Sequence, residues 1–254
     1  MKTHTLFIKL FITTIIALSA AQTTAEEIRI AVASNFNNAI TNITEQFEAN
    51  TGHKVLLSFA STGKHYAQII NGAPFDIFFA ADIKHPQRLE QEAVAIAGSR
   101  FTYAVGKLIL WSSMSNYIDS QGKVLEQNRF RHLAIANPKL APYGKAAQEV
   151  LQARGLWEAL KSKMVRGENI GQTFQFIKSG NAELGFVAYS QIKRPGHAIT
   201  GSWWHVPQTL YTPIEQQAVL LKDNSAAKAF LSYVKSDDSL EIIRNFGYGS
   251  SHVN

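Results

Sequence analysis

Short runs of consecutive apolar residues alternate along this chain with stretches in which apolar positions recur at helical spacing. Residues 28–33 predict a buried strand, and Ala39, Ile40, Ile43 and Phe47 then mark one face of a helix over 37–50, closed by Gly52. A strand over 54–59, a helix ending near Asn71-Gly72, a strand over 75–80 and a helix over 86–93 with Pro86 at its first position continue the series. Residues 101–111 are apolar for longer than one strand needs, which suits a segment passing between lobes. A second series follows, with strands over 132–136, 163–166 and 184–188 and helices over 145–154 and 170–179. Residues 216–221 read as a return strand, and helices over 225–234 and 239–246 close the chain.

Strand-helix repetition with short connections predicts an α/β protein of two lobes. Each lobe is a mixed, mostly parallel sheet flanked by helices, with a ligand cleft facing the carboxyl ends of the strands. The expected division assigns 26–105 and 220–254 to the first lobe and 106–219 to the second.

The amino terminus departs from this pattern. Lys2 and Lys9 precede an apolar stretch over 10–18, and small residues follow through Ala25, which is the grammar of a cleavable signal peptide over 1–25. The apolar run is too short to span a membrane comfortably, so a protein exported to the periplasm and not inserted in the membrane is expected. The 254 residues contain no cysteine, which excludes disulfides, thiolate metal sites and lipid attachment through an N-terminal cysteine. The whole chain carries a net +6, but removing Lys2 and Lys9 from 25 basic residues leaves 23 against 19 acidic, or +4. Its densest basic patches, Arg129-Phe130-Arg131-His132 and Lys161-Ser162-Lys163, are short and isolated, which speaks against nucleic acid as a partner.

Four strand-to-helix junctions carry the candidate chemistry. These are Ala33-Ser34-Asn35, Ala60-Ser61-Thr62-Gly63, Ala141-Pro142-Tyr143-Gly144 and Glu168-Asn169-Ile170-Gly171. A helix start offers unpaired backbone N–H groups and the positive end of the helix dipole, so converging starts bind an anion. Ser, Thr and Asn are also ordinary N-cap residues, and each junction taken singly reads as a plain cap before a ligand contact. Lys64 is the only charge in or beside the two first-lobe turns. Neutral donors suit a fully ionised oxyanion, whereas an amino acid ligand would call for an acidic partner and an arginine.

Several motifs together give these junctions a family likeness. Ala31-Val32-Ala33-Ser34-Asn35-Phe36, Ser58-Phe59-Ala60-Ser61-Thr62-Gly63, Gly72-Ala73-Pro74-Phe75-Asp76-Ile77-Phe78 with Ala81-Asp82, Asn137-Pro138 with Ala141-Pro142-Tyr143-Gly144, and Leu184-Gly185-Phe186-Val187 resemble, in order and spacing, the periplasmic molybdate-binding proteins of ATP-driven importers. The resemblance spans residues 28–247. It implies a type II-like periplasmic binding protein that closes on molybdate or tungstate, needs no cofactor, works as a monomer and hands its cargo to a membrane permease. Matched to the family, Ser34, Asn35, Ser61, Thr62, Tyr143 and Ile170 become the ligand-binding residues, with Tyr143 and Ile170 acting through the backbone and molybdenum held only as its oxyanion. Some members place a binding tyrosine where this chain has Ala188, which leaves the following Tyr189 a doubtful ligand. Asp76 and Asp82 also match family positions, but a carboxylate facing the anion would repel it, so both are expected to brace loops.

Two other readings compete. Ser61-Thr62-Gly63-Lys64 fits the S-x-x-K pattern of penicillin-interacting serine enzymes, with Lys178-Ser179-Gly180 as their later element, although the latter reads as a helix end where that chemistry needs a strand. Sulfate and other tetrahedral oxyanions also suit neutral donors, whereas ferric ion does not, because Tyr189 stands alone and the histidines are scattered. The run Trp203-Trp204-His205 and Trp157 suggest packing before a sugar platform.

Overall fold

A computed structural model describes residues 25–249, so the expected signal peptide lies outside the described residues except for Ala25. The first lobe opens with strand β1 (Glu27–Ala33), a single 3-10 turn (Ser34–Phe36) and helix α1 (Asn37–Thr51). Ala39, Ile40, Ile43 and Phe47 bury one face of α1 against the sheet, and Gly52 ends it in the left-handed conformation, φ 75°, with its N–H on the Glu48 carbonyl. Then come β2 (Lys54–Ala60), α2 (Thr62–Ile70), β3 (Ile77–Ala80), α3 (Lys84–Gln91) and β4 (Phe101–Gly106). Helix α3 begins two residues before the expected Pro86, which a first turn tolerates because its N–H groups have no intrahelical acceptor.

The long apolar stretch is two strands in two sheets. After β4 the chain crosses at Lys107 into β5 (Leu108–Ser112), which pairs with strands of the second lobe. That lobe continues through α4 (Val124–Gln127), β6 (Leu133–Ala136), α5 (Pro142–Ala153), α6 (Trp157–Leu160), β7 (Met164–Gly167), α7 (Ile170–Lys178), β8 (Leu184–Ala188), α8 (Tyr189–Ile192) and β9 (Ser202–His205). The return strand β10 (Ile214–Leu220) lies in the first sheet, between β3 and β4, and α9 (Ser225–Val234) and α10 (Asp237–Asn245) pack on the first lobe.

Each sheet has five strands, in the orders β2-β1-β3-β10-β4 and β7-β6-β8-β5-β9. In each, three strands run parallel and a crossing strand, β10 or β5, runs antiparallel to both neighbours. The expected division at 219/220 is therefore corrected. Residues 214–219 belong to the first sheet, and the second crossing falls at 206–213, because Ile214 to Leu220 hydrogen-bond to β3 and β4. Strand β9 was not expected from the pattern: its aromatic residues conceal a short edge strand in which Trp204 is buried and stacked under the Arg154 guanidinium.

Candidate functional site

The carboxyl ends of β1, β2 and β6 and the turns after them meet where the lobes face each other. The four junctions converge on one small cavity, about 180 Å³ including its mouth, whose walls include Ser34, Asn35, Ser61, Thr62, Tyr143 and Ile170. Ala33, Ala60, Ala81, Ala141 and Pro142 complete them, and no side chain lining it is charged. The larger cavities carry lysines, arginines or carboxylates in their walls, and none of them brings the four helix starts together.

Each helix presents its first turn here. Thr62 and Ile170 are the first residues of α2 and α7 and Tyr143 is the second of α5, so their N–H groups have no acceptor within the helix. Helix α5 begins at Pro142, three residues earlier than expected, and Pro is favoured at that position because its missing N–H would go unpaired anyway. That earlier start places Tyr143 in the donor turn. Asn169 is an ordinary cap, its side chain accepting from the Gln172 N–H at 2.9 Å. Ser61 occupies the same position before α2, with extended backbone, yet caps nothing. Its hydroxyl is buried and has no hydrogen-bond partner among the described residues. A buried unpaired hydroxyl is costly, so this group at a cavity wall points to a partner delivered from outside the chain.

The remaining side chains divide by role. The Ser34 hydroxyl donates to Asn169 Oδ1 at 3.2 Å and accepts from the Gly171 N–H at 3.2 Å, joining the first lobe to the start of α7. Thr62 Oγ1 accepts from the Ala81 N–H at 2.9 Å, which leaves its own proton to donate. Asn35 turns its side chain elsewhere. Its Nδ2 points away from the cavity to Gln216 Oε1 and the Tyr248 hydroxyl, at 2.7 and 3.1 Å, so only its backbone N–H is available to the cavity.

Further contacts hold the lobes together around the cavity. The Gly63 N–H donates to the Leu140 carbonyl at 2.8 Å, an approach so close that a Cβ on Gly63 would lie 3.1 Å from Leu140 Cα. Ser190 Oγ donates to the Asn35 carbonyl at 3.0 Å, and Lys64 Nζ lies 2.6 Å from Glu168 Oε1 at the rim.

Asp76 and Asp82 are braces, as expected. Asp76 accepts from the Arg29 N–H at 2.7 Å, and Asp82 accepts from the His85 N–H at 3.0 Å at the start of α3. Tyr189 does not line the cavity. Its ring meets His205 edge-on at 5.1 Å, and its N–H donates to the Lys107 carbonyl beside the first crossing. The serine-enzyme elements are not assembled: Lys64 is engaged by Glu168, and Lys178-Ser179-Gly180 closes helix α7 where the enzyme needs a strand. Among the described residues no cluster of three or more His, Asp or Glu is placed to hold a metal ion, and no helix is long and apolar enough to cross a membrane.

Residues 28–249 match the family of bacterial extracellular solute-binding proteins. The chain belongs to that family. It is 54% identical over 235 residues to the molybdate-binding protein ModA of Azotobacter vinelandii, covering 91% of this chain and 93% of the relative. ModA of Rhodobacter capsulatus is 48% identical over 237 residues, covering 92% and 91%. The solved structure of the Azotobacter vinelandii periplasmic molybdate-binding protein superposes with a TM-score of 0.85 at 43% identity, covering 88% of this chain and 99% of that one. As a solute-binding protein the chain uses its cleft to hold a ligand between lobes, which is the arrangement that the two five-stranded sheets and two crossings provide.

One residue escaped the sequence reading. Gln216 is fully buried on β10, where it accepts from Asn35 Nδ2 and donates to the Tyr143 hydroxyl. The signal was present as consecutive polar residues, Glu215-Gln216-Gln217, opening an otherwise apolar strand.

Proposed function

We propose that this protein captures molybdate or tungstate in the periplasm, as a monomer, and delivers it to an ATP-driven membrane importer. The observation that carries this reading is the convergence of four neutral helix starts, two from each lobe, on one cavity that no charged side chain lines. Such a cage supplies hydrogen-bond donors and helix dipoles without a counter-cation, which suits an oxyanion that is doubly charged throughout the neutral range. The high identity to proteins named as molybdate-binding supports the choice among oxyanions. The same kinship supports export by a cleaved leader and delivery to a permease, and in this reading the protein needs no cofactor for capture.

In this reading Thr62 donates its free hydroxyl proton, Ser34 turns its own from Asn169 Oδ1 to the anion, Ser61 supplies its unpaired hydroxyl, and the Asn35, Tyr143 and Ile170 N–H groups complete the shell. About six hydrogen bonds to a charged ligand, each contributing roughly 1.5 to 3 kcal/mol, offset association costs and leave the about 8 to 12 kcal/mol of micromolar to nanomolar capture. The anion seats first on the first-lobe turns, and hinge closure at the two crossings brings the α5 and α7 starts onto it.

Competition calorimetry with molybdate, tungstate, sulfate and phosphate tests the assignment. Molybdate and tungstate are expected to bind with micromolar or tighter affinity and to displace sulfate. Sulfate binding as tightly as molybdate would reassign the protein to the alternative ligand.

A further inference from the structure

One buried amide joins the anion-binding turns of the two lobes. Gln216 Oε1 accepts from Asn35 Nδ2 at 2.7 Å and lies 2.9 Å from the Tyr103 hydroxyl, while Gln216 Nε2 donates to the Tyr143 hydroxyl at 3.2 Å. Two features of the backbone accommodate it. The register between β10 and β4 shifts between Gln216 and Gln217, the kind of irregularity that re-aims a side chain. Two residues along β4 from Ala104, the register partner of Gln216, Gly106 ends the strand at the crossing, where a Cβ would overlap the Tyr143 hydroxyl and come within 2.6 Å of Gln216 Nε2. Burial pushes the Tyr103 and Tyr143 hydroxyls well above their ordinary pKa, so both stay protonated.

We propose that Gln216 is a positioning residue: it fixes the gap between the Asn35 and Tyr143 backbone N–H groups and thereby sets which size of oxyanion the closed cavity prefers. The proposal rests on the oxyanion reading of the cavity. Tyr143 is a rigid arm, with its hydroxyl held by Gln216 at one end and its N–H facing the cavity at the other. A shift at the hydroxyl therefore moves the start of α5. On the first-lobe side the same amide holds Asn35, whose carbonyl is held in turn by Tyr248 and Ser190. Fully ionised sulfate and molybdate present the same charge and the same tetrahedral acceptors to a neutral cage, so size is what distinguishes them. A cage freed to contract loses that distinction.

Calorimetric titration of molybdate and sulfate into the wild type, Gln216→Leu, Tyr143→Phe and the double variant tests this. Each single change is expected to weaken molybdate binding at least tenfold and sulfate binding less than threefold. The double variant should be no weaker than the weaker single, since both changes cut one link. An unchanged molybdate-to-sulfate ratio in the folded variants overturns the proposal, and Tyr143→Phe, which deletes one hydroxyl, keeps the test available if Gln216→Leu does not fold. A wild type that binds neither anion rejects the oxyanion reading separately. The link is then judged from interlobe distances between spin labels at Ile70→Cys and Met114→Cys, exposed positions in a chain with no other cysteine. A distance distribution broader in Tyr143→Phe than in the wild type, without any anion, supports the link, and identical distributions overturn it.

Discussion

The two lobes offer the cavity different chemistry. From the first come side-chain hydroxyls, Ser34, Ser61 and Thr62, on turns that follow adjacent parallel strands. From the second come backbone N–H groups, at Tyr143 and Ile170, whose side chains are buried, Ile170 in apolar packing and Tyr143 with its hydroxyl on Gln216. Under the proposed function, residue identity decides binding on the first lobe, whereas on the second it is backbone position that decides, and side chains matter by holding it. Ser61 and Asn169 make the contrast concrete: both stand before a helix, but Asn169 spends its side chain on capping and Ser61 does not.

The largest effect should come from removing hydroxyls. Ser34→Ala with Thr62→Val deletes two donors to a charged ligand, each contributing about 1.5 to 3 kcal/mol, and should weaken molybdate binding by about two to four powers of ten in calorimetry. Thr62→Val also strips the Ala81 N–H of its acceptor, which costs about 1 to 3 kcal/mol of stability, so the melting temperature should fall by several degrees. Thr62→Ser in place of Thr62→Val keeps that acceptor and one hydroxyl donor, and should recover the stability and about half of the lost binding free energy. Unchanged affinity in the double variant would end the hydroxyl assignment for the first lobe.

On the second lobe the matching experiment alters the backbone. Ile170→Pro removes one N–H at the first position of α7, where proline is tolerated, and the extended Asn169 before it already has the conformation proline demands, φ −140° and ψ 172°. Molybdate affinity should drop by about ten- to a hundredfold with the helix retained by circular dichroism. Ile170→Val keeps the N–H and should change affinity less than twofold. Equal effects of Pro and Val would break the comparison, because the side chain and not the donor would then be responsible.

How much of this could be read in the sequence follows the same division. Ser34, Ser61, Thr62, Tyr143 and Ile170 were legible because strand ends and helix starts have local signatures and the family motifs sit on them; all five line one cavity. Asn35 was legible as a position but not as a role, since the direction of its amide depends on Gln216, 181 residues away. Gln216 itself was hidden because its partners come from β4, α5 and the turn after β1, which no local pattern connects. The lobe boundary at 219/220 failed for a related reason: an apolar strand fits either sheet until its partners are known. The strand β9 was masked by tryptophans that read as plain packing.

The lobes should also respond differently to acid. His65, on α2 behind the first-lobe turns, is buried, and burial lowers its pKa against the opposing help of hydrogen bonds to Gln68 and the Val32 carbonyl. Its unfolded value is about 6.5, so below that pH the unfolded chain takes up a proton that the folded chain resists. Stability from this group is complete above about pH 6.5 and is lost as the pH falls toward the lowered value. In the second lobe, burial alone would raise Glu183, but the His132 N–H and Arg131 groups donate to its carboxylate and hold it at about 2. Its contribution is complete above the ordinary carboxylate range and is lost as the pH falls through about 2. Denaturant unfolding across the pH range should therefore show a slope below about pH 6.5 that His65→Gln flattens in part and Glu183→Gln does not, the rest coming from His205 of the second lobe, whose pKa burial and Lys107 also lower. A slope unaffected by His65→Gln would remove the first-lobe histidine from the acid response.

The smallest expected effect lies at the rim, where charge enters. Lys64 and Glu168 pair at 2.6 Å across the lobes, with side chains 46% and 44% exposed, one on the helix after Thr62 and the other two residues before Ile170. Exposed pairs contribute about 0.2 to 1 kcal/mol and are screened by salt, so Lys64→Gln or Glu168→Gln should weaken molybdate binding less than about fivefold in low salt and not measurably at high salt. Glu168→Gln is the sharper of the two, because it also removes a negative charge near the anion; if long-range charge governed capture, this variant would bind more tightly than the wild type. Equal, small and salt-sensitive losses in both would leave the lobe contacts as the pair's role and the neutral turns as the source of affinity. A tenfold loss confined to Lys64→Gln would instead make the lysine a counter-cation and end the description of the cage as neutral.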